Sequence, residues 1–170
     1  MTDEQFEQAA RTYGDMVYRV ACHALKNRAD AEDIMQTVLL RLYEHKGEFA
    51  GEAHLKHWLL RVAVNESRKV LRTPWRRRSV PLEEWDGPAP EREEAAEVLR
   101  EVMALDAKYR LVVYLYYFEG CSVRETAEAL GTKQSTVQTR LQRAREKLRV
   151  ALSDRECVEG TEYVQPKFIL

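Results

Sequence analysis

A run of small hydrogen-bonding side chains in the C-terminal part of the chain could read the edges of DNA bases. Amide, hydroxyl and cationic groups without bulk suit the donor and acceptor pattern of the major groove. The run consists of Lys133, Gln134, Ser135, Thr136, Gln138, Thr139 and Arg140. Arg143, Arg145, Lys147 and Arg149 follow it and could lie near phosphates. The alternative is a solvated basic face on an ordinary helical hairpin.

The residues around this run predict a helix-turn-helix. Ser122 and Glu125 have the spacing of a capping box, which begins a helix. Gly131 suits the left-handed conformation that ends one. Apolar residues lie on one face of each helix: Val123, Ala127 and Leu130 before the glycine, and Val137, Leu141, Ala144 and Leu148 after it. Two helices joined by a glycine-containing turn are typical of DNA-binding proteins.

A second basic segment lies in the middle of the chain. It contains Arg61, Arg68, Lys69, Arg72, Arg76, Arg77 and Arg78, against Glu66 as its acidic member. Such a segment can neutralise phosphates and makes nucleic-acid binding sensitive to salt. Asn65 lies within it and has both the donor and the acceptor needed to read a base edge. The alternative for Asn65 is a helix-surface or capping residue.

A predicted protein-contact face precedes this segment. Asp33, Gln36, Thr37 and Leu40 fall away from the apolar stripe of a helix predicted over Ala31–Tyr43, for which Asp30 is the expected N-cap. An exposed leucine among polar groups indicates a surface for another protein, and a plain solvated face is the alternative.

These groups are carried by a predicted all-α fold of two helical domains joined by a flexible linker. Glycine (7) and proline (5) are scarce, which favours helices. Apolar periodicity predicts helices over 3–26, 31–43 and 53–71, and then over 92–104, 107–118, 123–130 and 133–151. Four of the five prolines fall in a stretch that helix cannot cross. The predicted organisation is a domain over 1–72, a linker over 73–94, a helix-turn-helix domain over 95–152 and a tail of unknown role over 153–170.

Composition and motifs argue against several classes of protein. The net charge is −1, so any positive charge that contacts nucleic acid must be local. His54 and His57 are one turn apart without a third ligand, and the three cysteines form no CxxC pair, so we expect neither a metal nor another cofactor. The sequence has no nucleotide-binding loop or nucleophile motif, so we expect no catalytic residue and no enzyme. Without a signal peptide or a long apolar run, the chain is expected to be cytoplasmic with no membrane insertion.

Several segments together resemble the extracytoplasmic-function (ECF) sigma factors of the sigma-70 family. Asp30–Tyr43 resembles the polymerase-binding helix of sigma region 2, and His57–Asn65 resembles the helix that follows it. Arg72–Arg78 is similar to the basic end of that domain, and Leu105–Leu148 is similar to region 4. The resemblance covers about residues 5–72 and 95–150 in the order of the family.

The resemblance implies roles for individual residues. Asp30, Asp33, Gln36 and Leu40 would bind the beta-prime clamp helices of core RNA polymerase. Arg61, Asn65, Arg68, Lys69 and Arg72 would bind and melt the −10 element, with a captured base held between the loop His45–His54 and the helix that carries Asn65. The run from Lys133 to Arg140, with Arg143, would read the −35 element. Thr37 and Lys69 depart from the family, which usually has Glu and often Asp there.

The resemblance also implies partners, and one rival interpretation remains. The implied partners are core polymerase, promoter DNA and an anti-sigma factor. The rival is an independent helix-turn-helix regulator, which would bind operator DNA as a dimer without polymerase.

Overall fold

The computed structural model describes residues 2–73 and 93–159, and within these ranges the ordered elements are all helices. They are α1 (Asp3–Leu25), α2 (Arg28–Tyr43), α3 (Glu52–Arg72), α4 (Glu93–Ala104), α5 (Ala107–Val113), α6 (Val123–Leu130) and α7 (Gln134–Glu159), and α5 continues into a π-helical turn over Tyr114–Phe118. The prediction of an all-α fold is confirmed.

Side-chain caps explain where the helices of the first half begin. Thr2 and Gln5 form a capping box at the start of α1, a spacing visible in the sequence that the prediction did not use. The prediction that Asp30 caps α2 was wrong. The side chain of Asn27 accepts the Asp30 N–H at 2.9 Å, so the helix begins one turn earlier and Asp30 lies inside its first turn.

The N-terminal domain is a three-helix unit in which α1 packs against both α2 and α3. Its centre is fully buried and apolar, with Val17 and Val20 from α1, Val38 and Leu42 from α2, and Leu59 from α3. These residues lie at the three- and four-residue spacings from which the helices were predicted.

The C-terminal domain is built around α5 and its π-helical continuation, which carry apolar residues on nearly every side. Leu111, Val112 and Leu115 face one buried cluster, whereas Tyr109 and Val113 face another. The second cluster also contains Val102 and Leu105 from the α4 region and Ala144 from α7. The helix is therefore apolar all round because it lies between two cores.

The first of these two clusters continues from the C-terminal domain into the N-terminal domain. It joins Leu111 and Leu130 to residues of α1, α2 and α3. Helix α1 packs against α5, and α3 packs against α6. The two helical domains are thus closed on each other, an arrangement that the sequence did not predict.

Two predicted segments fall largely outside the described residues. The linker over 73–94 has only its edges described, and α4 begins inside it, at Glu93. The tail was predicted to begin at residue 153, but helix α7 continues to Glu159, directly before Gly160. No helix breaker stands between Arg149 and Glu159, which explains the extension.

Candidate nucleic-acid interface

The predicted helix-turn-helix is formed by α6, a turn at Gly131 and α7. Ser122 Oγ accepts the Glu125 N–H at 3.2 Å, while Glu125 Oε2 accepts the Ser122 N–H at 2.7 Å, which confirms the capping box. Gly131 has φ 58° and ψ 43°, the left-handed conformation expected of a residue that ends a helix. The inward side of α7 is also as predicted, with Val137, Leu141 and Ala144 buried.

The opposite side of α7 presents what we call the recognition face. Lys133, Gln134, Ser135, Gln138, Thr139 and Arg143 are exposed, and Thr136 and Arg140 are half-buried. The Thr139 hydroxyl donates to the Ser135 carbonyl at 2.9 Å. The structure therefore brings seven of the eight predicted side chains to the first turns of α7, with Lys133 directly before it, as direct readout in a major groove requires.

A second polar surface runs along α3, and we call it the α3 face. Arg61, Asn65, Lys69 and Arg72 recur at spacings of three or four residues and are all exposed. Arg68, the fifth residue predicted to act there, is half-buried and points elsewhere, because its guanidinium donates to the Leu130 carbonyl at the end of α6 at 2.5 Å.

An acidic residue moderates the positive charge of the α3 face. The Glu66 residue is 8% exposed, and its Oε1 lies 2.7 Å from Lys69 Nζ and 3.2 Å from an Arg41 guanidinium nitrogen. Lys69 therefore presents less net charge than its type alone suggests. Arg61 and Arg72 have no acidic partner among the ion pairs of the described residues.

The loop between α2 and α3 carries a cluster of rings. The Phe49 ring lies 4.8 Å from the His45 ring and 5.6 Å from the Trp58 ring, measured between centroids. His54 closes the cluster through its contact with Phe49 at 5.6 Å and accepts the Ala50 N–H at 3.1 Å. Trp58 is half-buried against the core. Aromatic faces at the edge of a basic surface can stack on unpaired bases.

The face of α2 predicted to contact protein is also open. Asp33, Gln36 and Leu40 are exposed, and Leu40 retains 57% of its accessible surface. Thr37 and Asp30 are half-buried, and the Thr37 hydroxyl donates to the Asp33 carbonyl at 2.8 Å.

Polar contacts between the two domains lie directly beside the α3 face, and sequence reasoning missed them. Lys56 Nζ donates to the Glu119 carbonyl at 3.0 Å and lies 3.7 Å from the Glu119 carboxylate. His57 Nε2 lies 3.0 Å from Glu125 Oε1, so Glu125 contacts α3 as well as capping α6. The two residues of each pair are about 60 positions or more apart in the chain, so no local sequence pattern reveals the contact.

A buried basic group joins the domains at their centre. Arg110 is 4% exposed and donates to the carbonyls of His23 and Ala24 at the end of α1, and to those of Met103 and Leu105 at the end of α4. Burial lowers the pKa of Arg110 to about 10, which still leaves it cationic at neutral pH. A cation at the C-terminal end of a helix interacts favourably with the helix dipole.

Two rings complete this junction. The His23 and Tyr114 rings lie 4.0 Å apart, and Tyr114 Oη accepts from Arg19 Nε at 3.2 Å and donates to the Glu119 carboxylate. Burial, followed by the cationic Arg110 and Arg19, lowers the pKa of His23 to about 4. Burial and the bond to Glu119 raise the pKa of Tyr114.

Metal binding requires a group of ligating side chains, and crossing a membrane requires a long apolar helix. Among residues 2–73 and 93–159, no three His, Cys, Asp or Glu side chains are grouped as metal ligands. In the same part of the chain, no helix has an apolar stretch of the length that crossing a bilayer demands.

The fold and these surfaces define a helix-turn-helix protein with a second polar and basic face on a separate domain. Family models identify this combination. The model described as "Sigma-70 region 2" matches residues 9–77, and the one described as "Sigma-70, region 4" matches residues 95–148.

Curated relatives agree with the family models along most of the chain. The chain is 31% identical over 147 residues to the "ECF RNA polymerase sigma factor SigM" of Mycobacterium tuberculosis, which covers 84% of this chain and 74% of the relative. It is 32% identical over 161 residues to the "RNA polymerase sigma-E factor" of Streptomyces avermitilis, covering 89% and 87% of the two chains. The chain therefore belongs to the ECF sigma factors of the sigma-70 family and is an RNA polymerase sigma factor.

Solved structures show the same fold. The sigma factor RpoE of Bartonella quintana, solved in complex with the anti-sigma factor NepR, is 22% identical with a TM-score of 0.71, covering 88% of this chain and 98% of that one. CnrH, solved in complex with the cytosolic domain of CnrY, is 23% identical with a TM-score of 0.65, covering 90% of each chain.

Proposed function

We propose that the two polar faces divide promoter recognition between them. The α3 face, with Arg61, Asn65, Lys69 and Arg72, binds the −10 element. Its cationic side chains hold the phosphates, and the rings of His45 and Phe49, which pack against Trp58, stack on a base that has left the duplex. Arg68 joins this set once its bond to Leu130 is released. Extruding a base requires a few kcal/mol, which stacking and edge contacts offset.

The recognition face reads the −35 element in the major groove. Its N-terminal residues contact base edges, and Arg140 and Arg143 contact bases or the phosphates beside them. The observation that carries this proposal is that one chain of net charge −1 exposes base-reading side chains and local positive charge on two separate domains. Neither face needs high affinity alone, because attachment to one polymerase raises the effective concentration of the second contact.

The α2 face binds core RNA polymerase. Asp30, Asp33, Gln36 and Leu40 dock on the beta-prime clamp helices, with Leu40 as the apolar centre of the contact. The chain acts as an initiation factor and has no catalytic residue or cofactor of its own. It acts in the cytoplasm because its DNA and polymerase are there.

Domain limits and regulation complete the proposal. The N-terminal domain over 1–72 carries the polymerase and −10 contacts, and the domain over 95–152 carries the −35 contact, with a linker over 73–94 between them. An anti-sigma factor that covers these faces would inhibit the chain. This is supported by the relatives, of which two are described by their structures as bound to NepR or to the cytosolic domain of CnrY.

Transcription in vitro tests the proposal. Core polymerase with the purified chain is given a pool of templates with random upstream sequence, and the transcripts are sequenced. We expect products that depend on the chain and share two sequence elements. Transcription that never depends on the chain would contradict the proposal, and tight binding of a dimer to duplex DNA without polymerase would favour the independent regulator.

Matched variants locate the polymerase contact. Leu40→Ala should weaken binding to core polymerase about tenfold, the usual effect of removing an apolar anchor. Val150→Ala is the control, because Val150 is 56% exposed, much as Leu40 is, but lies on α7. Equal affinities of the two variants would remove the α2 face from the proposal.

A further inference from the structure

Arg145 on α7 is held by a tyrosine of the π-helical turn, Tyr117. The guanidinium Nε donates to the Tyr117 hydroxyl at 2.6 Å, and the guanidinium carbon lies 5.8 Å from the centre of the Tyr117 ring. The second distance is within the range of a cation–π interaction. One side chain therefore restricts the position of the Arg145 guanidinium in two ways, through its hydroxyl and through its ring.

The Tyr117 ring is itself fixed by packing. It is half-buried and contacts both buried clusters of the structure. The Tyr116 ring meets it edge-on, with the two centroids 5.0 Å apart. The backbone of Tyr117 lies in the π-helical turn, in which the Glu119 N–H donates to the Tyr114 carbonyl at 3.1 Å. Single π-helical turns often occur at functional sites, so we looked for a function of the side chain that this one presents to α7.

Arg145 lies on the side of α7 that carries part of the recognition face. It stands seven residues after Gln138, close to two helical turns, so the two side chains share one side of the helix and lie about 10 Å apart along its axis. Both are exposed. A recognition helix places its N-terminal residues on base edges, and the major groove is about 8.5 Å deep. With Gln138 on the bases, Arg145 would therefore lie near the mouth of the groove, where the phosphates are.

The tyrosine orients this cation without neutralising it. Arg145 belongs to none of the ion pairs found among the described residues. On the α3 face, by contrast, the carboxylate of Glu66 offsets the charge of Lys69. A neutral hydroxyl leaves the full positive charge of Arg145 available to a phosphate. A side chain that is already held also loses less conformational entropy when it binds.

We propose that Tyr117 is a positioning residue that holds Arg145 toward a DNA phosphate at the edge of the −35 element. This inference rests on the proposed function of the recognition face. A phosphate contact carries no sequence information, so it would fix the register of α7 in the groove while the recognition face selects the bases. The alternative is that the hydrogen bond only ties α7 to the π-helical turn and supports the fold.

The salt dependence of promoter binding tests the phosphate contact. The full chain with core polymerase is bound to a promoter obtained from the random templates, over a range of salt concentrations. Arg145→Gln should weaken binding about tenfold and should reduce the slope of log affinity against log salt concentration by about 1, the loss of one phosphate contact. Tyr117→Phe removes the hydroxyl and keeps the ring, and it should weaken binding about threefold, as expected for one hydrogen bond.

A double-mutant cycle separates positioning from support of the fold. If Tyr117 acts through Arg145, Tyr117→Phe should have no further effect on affinity in the Arg145→Gln background. A hydroxyl that only supports the fold would weaken binding about threefold in both backgrounds. Tyr116→Phe is the matched control, because Tyr116 is half-buried like Tyr117 but does not hold Arg145. It should leave both the affinity and the salt slope unchanged.

The outcomes separate this proposal from the proposed function. An unchanged salt slope in Arg145→Gln would overturn the phosphate contact. Equal effects of Tyr117→Phe with and without Arg145→Gln would overturn the positioning role, even if the wild type directs transcription normally. If the wild type gave no promoter binding that depends on the chain, the proposed function would fail, and this proposal would fail with it.

Discussion

At the level of single residues, the buried His23 at the domain junction should make the stability of the folded chain depend on pH. The pKa of His23 is about 4 in the folded chain, below the ordinary value of 6.5, so the folded chain binds the proton less well than the unfolded chain. The contribution of neutral His23 to the stability of the folded chain is therefore complete above pH 6.5, and it is lost as the pH falls toward 4. Between pH 7 and 4.5 the loss should amount to about 2 kcal/mol.

Urea unfolding of the wild type and of His23→Gln at the two pH values measures this contribution. The wild type should lose about 2 kcal/mol more than the variant on acidification, because a glutamine side chain has no titrating group. Other carboxylates and histidines titrate in both proteins and cancel in the difference. Identical pH dependence of the two proteins would show that His23 is not held neutral in the folded chain.

Single residues were predictable where their role follows from local spacing. The outward position of Gln138 and the inward position of Val137 follow from helical periodicity, and both are as predicted. The roles of Arg110, Lys56 and His57 were not predictable, because their partners are distant in the chain. Arg110 in particular looks like a surface residue in the sequence, yet it is buried and donates to carbonyls of both domains.

At the level of elements, the turn of the helix-turn-helix depends on the left-handed backbone conformation of Gly131. Gly131 has a positive φ of 58°, and a Cβ added there would meet no atom within 4 Å. Gly131→Ala should therefore lower the free energy of unfolding by about 1 kcal/mol through backbone strain alone. Gly131→Asn should lower it less, since asparagine tolerates the left-handed region better.

Urea unfolding followed by circular dichroism measures both effects. Glu128→Ala is the control, because Glu128 lies on the exposed side of the same helix. Ala129→Gly cannot be used as the control because Ala129 is buried. It should change the stability by less than about 0.5 kcal/mol. Equal stabilities of Gly131→Ala and Gly131→Asn would show that the loss does not arise from the left-handed conformation.

The sequence predicted the presence of each helix more accurately than the residues at which the helices begin and end. Apolar periodicity identified each helix, since it depends on neighbouring residues alone. The start of α2 was placed wrongly because Asn27 and Asp30 are both good caps and only the geometry distinguishes them. The π-helical turn over Tyr114–Phe118 has no sequence signature, and its buried residues Tyr114 and Leu115 belong to the core shared by both domains.

At the scale of the whole molecule, the closed arrangement rests on a continuous apolar core with Arg110 at its centre. Arg110→Met preserves much of the side-chain volume but leaves the carbonyls of His23, Ala24, Met103 and Leu105 without their donor. Loss of a buried cation that satisfies several acceptors should lower the free energy of unfolding by about 3 kcal/mol.

Hydrogen exchange can show that this loss extends across both domains. Because Arg110 joins the end of α1 to the end of α4, the amides of both helices should lose protection together in Arg110→Met. Arg100→Met is the control, since Arg100 is exposed on α4, and it should leave both helices protected. If only α4 lost protection, Arg110 would be a residue of the C-terminal domain alone. Loss in both helices requires that the chain spends most of its time closed, because an open chain has no path by which a change in α5 reaches α1.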